Sequence, residues 1–239
     1  MWQPPGSSRP FEPLRGLTTW LTIMFGVCAL GAVGALVANL RLSTTWSEIH
    51  DGSEITGSFA EVEALAGLES TANLLIVFVA LFTFATGVVF TIWLVRARAN
   101  ASALGGQPGL APGWAIGACL APCLNAFMPQ FVVGDIWRHS QPARRRRLSR
   151  VITWGVLWTL TALMAFSARG AEPDESDMNF FDQGGFIDSY TSARSLTTNW
   201  LVLYVFAAAA CAVVVRSLSA MQHERHDELH PDADVITPG

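Results

Sequence analysis

GWAIGACLAPCLNAFMPQFVVGDIW, residues 113–137, decides the fold. It carries one charge, Asp135, and is apolar enough to enter a membrane, yet Pro122 and Pro129 interrupt it. A proline inside a helix has no N–H to give and its ring clashes with the carbonyl four residues earlier, here those of Ala118 and Asn125. Two short helical pieces with a break therefore fit better than one straight helix. Irregular backbone survives at membrane depth only where protein or water satisfies it. If this stretch crosses, everything after it changes side; if it returns or lies in the interface, nothing does.

Four longer apolar stretches flank it, at residues 17–40, 72–95, 151–168 and 199–215. Hydrophobic residues make up 51% of the chain and charged ones 14%, against about 25% in soluble domains. At about 1.5 Å per residue the first two stretches run about 36 Å as helix, enough for a hydrocarbon core about 30 Å thick. The last two sit at the lower limit and have room to extend by a turn. The expected fold class is an all-α integral membrane protein: four transmembrane helices plus a Pro-broken re-entrant or interfacial segment.

Positive charge chooses between the alternatives, because cytoplasmic loops are enriched in basic residues. All 15 basic residues are Arg. With four spans, 12 arginines lie inside (at 9, 15, 96, 98, 138, 144–147, 150, 216 and 225) and three outside (Arg41, Arg169 and Arg194). With five spans, the better orientation gives 9 inside and 6 outside. Four spans with both termini cytoplasmic is the layout expected, in a multi-pass protein of the cell membrane.

The remaining organisation follows. Residues 1–16, rich in Pro, Gly and Ser, read as a disordered cytoplasmic arm, 17–218 as the membrane domain and 219–239 as a cytoplasmic tail. The first apolar run exceeds the usual leader core of about 7–15 residues and no clear cleavage site follows, so it is read as a retained span. Gly34 and Ala38 in it form a small-xxx-small pair that permits close helix approach. Residues 59–68 place Phe59, Val62, Leu65 and Leu68 at three-residue steps, an amphipathic helix over the bundle or at the membrane surface. Cys28, Cys119, Cys123 and Cys211 all lie in apolar stretches, so the loops carry no disulfide framework. The arginine run abuts a span and lacks interleaved aromatics, which argues against nucleic acid.

Pro112-Gly113-Trp114, then Pro122 with Asn125, then Pro129, then Ile136-Trp137, form a series. It resembles the bacterial, largely actinobacterial, membrane family catalogued as domain of unknown function 4328. The resemblance covers about residues 15–220 and implies two spans, this Trp/Pro/Asn/Pro segment, and two more spans. Ala118-Cys119-Leu120-Ala121 stands where an aromatic-rich stretch would be expected. The resemblance implies no reaction.

Several residues are candidates for ligand contact or for a structural motif: Trp114, Pro122, Asn125, Pro129, Asp135 and Trp137. Asn125 is the leading one, since an amide in hydrocarbon is costly unless hydrogen-bonded; a structural bond closing the break is the simpler reading. Asp135 and Arg138, three apart, can pair on one helix face. Arg144, Arg145, Arg146 and Arg147 read as a topology anchor against anionic lipid, each worth about 1 kcal/mol. Cys119 and Cys123 share a helical face but lack further ligands. His223, His226 and His230, at i, i+3 and i+7, are a weak metal candidate against the simpler reading of a solvated tail. No span contains His, and no Asp, Glu, Lys or Arg lies centrally in one, which weakens haem-binding and ion-pump readings. HExxH, GxSxG and glycine-rich phosphate loops are absent.

No cofactor is expected. Partners are membrane lipids and another membrane or extracytoplasmic protein. The function expected is that of a non-catalytic membrane interaction or scaffold protein; the alternative is a small-molecule or lipid transporter or channel with its site at residues 113–137.

Overall fold

A computed structural model describes residues 10–50, 59–111, 113–120, 122–140, 148–171 and 183–231. They form seven helices: α1 (Arg15–His50), α2 (Phe59–Ala103), α3 (Gly113–Leu120), α4 (Pro122–Asn125), α5 (Met128–Ser140), α6 (Ser149–Ala171) and α7 (Gln183–Leu229). No strand occurs among the described residues. Four of the helices, α1, α2, α6 and α7, are long and apolar enough to cross a membrane. The protein is thus an all-α chain with four membrane-spanning helices and a helical segment broken between the second and third.

The long helices outrun their apolar cores. α2 has 45 residues and α7 has 47, about 68 and 70 Å, roughly twice a hydrocarbon core. Neither contains proline, so nothing stops helix propagation from the apolar core into the flanking polar sequence. Three expectations change as a result. The amphipathic stretch 59–68 is the first part of α2 rather than a separate surface helix. The stretch read as a tail is helical through Leu229, with Gln222 fully buried. Of the arm read as disordered, residues 1–9 lie outside the described residues, while Phe11 is half-buried and Leu14 has no exposed surface.

The end of α2 is set by glycine. Gly105, at φ 81°, adopts the left-handed conformation that an L side chain resists. Its N–H reaches Ser102 O (3.1 Å) and that of Gly106 reaches Ala101 O (2.9 Å), the paired bonds of a Schellman cap.

The chain divides into two compact units. Unit 1 comprises residues 1–25, 85–155 and 210–239, and so includes both ends of the chain and the whole broken segment. Unit 2 comprises residues 26–84 and 156–209. In unit 2, α1 and α2 approach closely at Gly31, where a Cβ would stand 3.1 Å from the Phe78 ring and 3.2 Å from Val79. Gly34 faces Leu75 at ordinary contact distance. Small residues thus set this helix spacing, as packing in lipid requires. Large apolar side chains point outward along α2, among them Leu74, Leu81 and Phe84, which is 74% exposed. A water-soluble monomer rarely exposes contiguous apolar surface beyond a few hundred Å²; acyl chains are the fitting solvent for this face.

Candidate functional site

The segment at 113–137 is a hairpin of three pieces. α3 packs back against α5, with α4 at the corner. Pro122 is the first residue of α4 and Pro129 the second of α5. In a first helical turn the missing N–H has no intrahelical partner to lose, so the prolines begin helices here. The expected break into short helical pieces is seen at Ala126–Phe127, while Ala121, just before Pro122, lies outside the described residues. Between α4 and α5 the chain turns, with Phe127 N–H on Leu124 O at 3.0 Å.

α5 is the most two-sided of the short helices. Val132, Val133, Ile136, Trp137 and Ser140 are buried, while Phe131 is 62% exposed; Leu124 and Phe127 at the corner are also exposed. Its inner face meets the start of α6 in antiparallel fashion. Gly134 faces Val151, and a Cβ on Gly155 would stand 2.9 Å from Gln130 Cβ. Gly155 is about 9 Å along α6, and α5 with its 13 residues is only about 20 Å long.

The residues singled out from the sequence separate into groups. Trp114 opens α3 and is exposed, Asn125 closes α4 half-buried, and Pro129 and Trp137 are buried in α5. Asp135 accepts the Leu110 N–H (3.1 Å) and lies 3.3 Å from His139, whose Nδ1 also contacts Asp135 O at 2.8 Å. That replaces the expected pairing with Arg138, because the preceding loop delivers a backbone donor directly to the carboxylate. Arg144–Arg147 fall outside the described residues.

His223, His226 and His230 each have separate neighbours. His223 Nδ1 is 2.8 Å from Ser219 O, His230 Nδ1 is 3.2 Å from His226 O, and the Phe11 ring stacks on His226 at 4.1 Å. No cluster of three or more His, Cys, Asp or Glu suited to an ion occurs among the described residues.

Two polar networks emerge that the sequence reading passed over. In unit 1, Gln222 Nε2 donates to Ala97 O (2.8 Å) and to Ser140 Oγ (2.9 Å), joining α7 to α2 and α5. One turn earlier, Ser219 Oγ accepts from Trp93 Nε1 (3.1 Å) and meets Thr18 Oγ1 at 2.7 Å, adding α1. Asn100, fully buried, accepts Glu12 N–H at 3.0 Å and donates to Glu12 O at 2.8 Å. In unit 2, Asn39 Nδ2 donates to Arg194 O (3.1 Å) and Thr198 Oγ1 (2.8 Å), joining α1 to α7. Arg194, 6% exposed, donates from Nη2 to Glu69 Oε1 (2.8 Å) and to Tyr190 OH (2.7 Å), and its guanidinium lies 4.8 Å from the Tyr190 ring centre.

These networks tie one helix to another through donated N–H and O–H bonds, although Asn39 Oδ1 and Gln222 Oε1 are buried with no hydrogen-bond partner. A signal for Gln222 was present: Cys211, Val214, Val215, Leu218 and Gln222 are buried at helical spacing, a stripe that continues past Arg216, which is itself exposed. Nothing local distinguishes Asn39 or Asn100 from an ordinary helix asparagine, since their partners lie 155 and 88 residues away.

No curated protein and no solved structure matches this sequence. A family model does, over residues 53–220. The match begins later than the expected residue 15, so α1 lies outside it, and the whole α3–α5 hairpin lies inside it. The chain belongs to the family described as a domain of unknown function (DUF4328).

Proposed function

We propose that this protein is a non-catalytic membrane interaction or scaffold protein. Four helices cross the cell membrane, and the α3–α5 hairpin enters from the cytoplasmic side and returns to it. Both termini then face the cytoplasm, and lipids and another membrane or extracytoplasmic protein are its partners. The observation that carries the functional reading is where the buried polar side chains go. Asn39 Nδ2, Asn100, Ser219 and Gln222 Nε2 bond to neighbouring backbone and side chains, as a frame does.

The geometry of the hairpin supports the layout. α3 and α5 fold back on each other, α5 is too short for a hydrocarbon core of about 30 Å, and the corner exposes Leu124 and Phe127. The described residues nearest both chain ends share one unit with the hairpin, which fits an even number of crossings. Crosslinking in native membranes, through residues introduced near positions 50 and 180, tests the interaction reading. Repeated capture of the same protein is the expected result; no recurrent partner from either position would remove it.

A second reading, a small-molecule or lipid transporter or channel, is favoured by one feature. The helix breaks at 126–127, and unwound backbone is where membrane substrate sites form. A flux that disappears on Asn125→Leu would select this reading, and a flux insensitive to that change would remove the site.

A further inference from the structure

The segment before α1 reads Pro10-Phe11-Glu12-Pro13-Leu14. Proline at 10 and 13 fixes φ at those positions and drives the preceding residue toward extended backbone, so the stretch is stiff and elongated before it meets anything. Its one helical bond is at its end, where Leu14 O accepts the Thr18 N–H at 2.9 Å. Unit 1 holds it at four points. The Asn100 amide takes both the N–H and the C=O of Glu12, the two-bond pairing by which a neighbouring strand would read a peptide unit. The Phe11 ring lies flat on His226 at 4.1 Å and meets His223 edge-on at 5.4 Å. Leu14 is fully enclosed, and the Glu12 carboxylate lies 3.3 Å from Arg96 Nε.

We infer that the ends of α2 and α7 in unit 1 form a docking groove for a short extended peptide. The groove accepts the order aromatic, acidic, proline, aliphatic, and in this chain it is filled in cis by residues 10–14. The backbone clamp by Asn100 supplies register, the two histidines form an aromatic platform, Arg96 selects an acidic residue, and the Leu14 pocket sets the far end. A buried asparagine that spends its amide on one peptide unit is poorly explained as a lipid contact or as helix packing, since Glu12 belongs to neither neighbouring helix. The inference gives the proposed interaction function one specific surface. Because the arm is tethered beside its groove, its effective concentration is in the millimolar range, and a competing segment binds only once the arm is displaced.

The test uses the full chain in lipid nanodiscs and a fluorescent peptide of residues 8–15. In a chain carrying Phe11→Ala, Glu12→Pro and Leu14→Ala, the arm loses its ring, the Glu12 N–H and its aliphatic anchor, and the groove is vacated. The peptide then binds saturably, read by fluorescence anisotropy, while the unaltered chain takes up none. Adding Asn100→Ala to the vacated chain weakens binding by about tenfold or more, the equivalent of two lost hydrogen bonds. No binding to the vacated chain, or binding indifferent to Asn100→Ala, overturns the inference. A second measurement needs no variant: in the unaltered chain the Glu12 amide hydrogen exchanges slowly, independent of protein concentration. Exchange at the rate of a free peptide refutes the groove, and protection that rises with concentration refutes docking in cis. Failure here leaves the crosslinking test of the interaction function untouched, because that test reads other positions.

Discussion

Replacing Gly155 interrogates the contact by which the hairpin is seated on α6. An alanine there would bring its Cβ to 2.9 Å from Gln130 Cβ, 3.1 Å from Cγ and 3.3 Å from Cδ. Carbon atoms rest at about 3.5–4.0 Å, so α5 and α6 must part by roughly 0.6–1 Å. The nearest atom is the root of the Gln130 side chain and cannot swing away. Overpacking of this size costs about 1–3 kcal/mol. Alanine's better helix propensity returns about 1 kcal/mol, leaving a net loss of up to about 2 kcal/mol. Valine, with two further methyl groups at the same place, loses more. The assay is thermal unfolding in detergent, reported by a thiol-reactive dye, since Cys28 and Cys211 are buried until the bundle opens. At about 2–4 °C per kcal/mol for a chain of this size, Gly155→Ala lowers the midpoint by several degrees. Gly87→Ala, where nothing lies within 4 Å of the new Cβ, serves as control and does not lower it. Gln130→Gly removes the opposing atoms, so combining it with Gly155→Ala costs less than the sum of the two single changes. Equal behaviour of Gly155→Ala and Gly87→Ala, or strict additivity in the double variant, refutes the seating of α5 on α6.

Other perturbations test the remaining joints with the same assay. At Gly106 a Cβ would meet Ala101 O at 2.7 Å and His139 O at 2.8 Å; backbone cannot yield, so Gly106→Ala destabilises more than Gly155→Ala. Asn39→Asp turns a donor to Arg194 O and Thr198 Oγ1 into a carboxylate facing a carbonyl, and it is expected to cost about 3 kcal/mol or more, whereas Asn39→Leu costs less. Glu69→Ala leaves the Arg194 guanidinium buried without its carboxylate. It should therefore lower the midpoint more than the double change Glu69→Ala with Arg194→Leu, the signature of an uncompensated buried charge.

The legible part of this fold was the part governed by composition. Uncharged runs long enough to cross a bilayer gave the four spans, and two prolines seven residues apart gave the break. Helix ends were less legible because the apolar core ends before the helix does: α7 continues to Leu229, past buried Ser219 and Gln222 that hydropathy does not register. The site was least legible. Asn125 and the Asp135–Arg138 pair drew attention because they stand near a break, where polar groups are conspicuous. The residues that join the helices, Asn39, Asn100 and Gln222, sit within regular helix and acquire meaning only from distant partners. The docked arm was hidden for a related reason: Pro, Gly and Ser before a span signal disorder by composition, yet the same prolines stiffen residues 10–14 for docking.

The account rests on the hairpin entering and leaving on one side, which places the segment after α5 in the cytoplasm. A cysteine introduced at Ala143, with the native cysteines replaced, is exposed in intact cells to a membrane-impermeant maleimide. The account predicts no labelling until the cells are opened, with ready labelling of a control cysteine near position 50. Labelling at 143 from outside intact cells contradicts it, because residues 113–137 would then cross the membrane and every later segment would change sides.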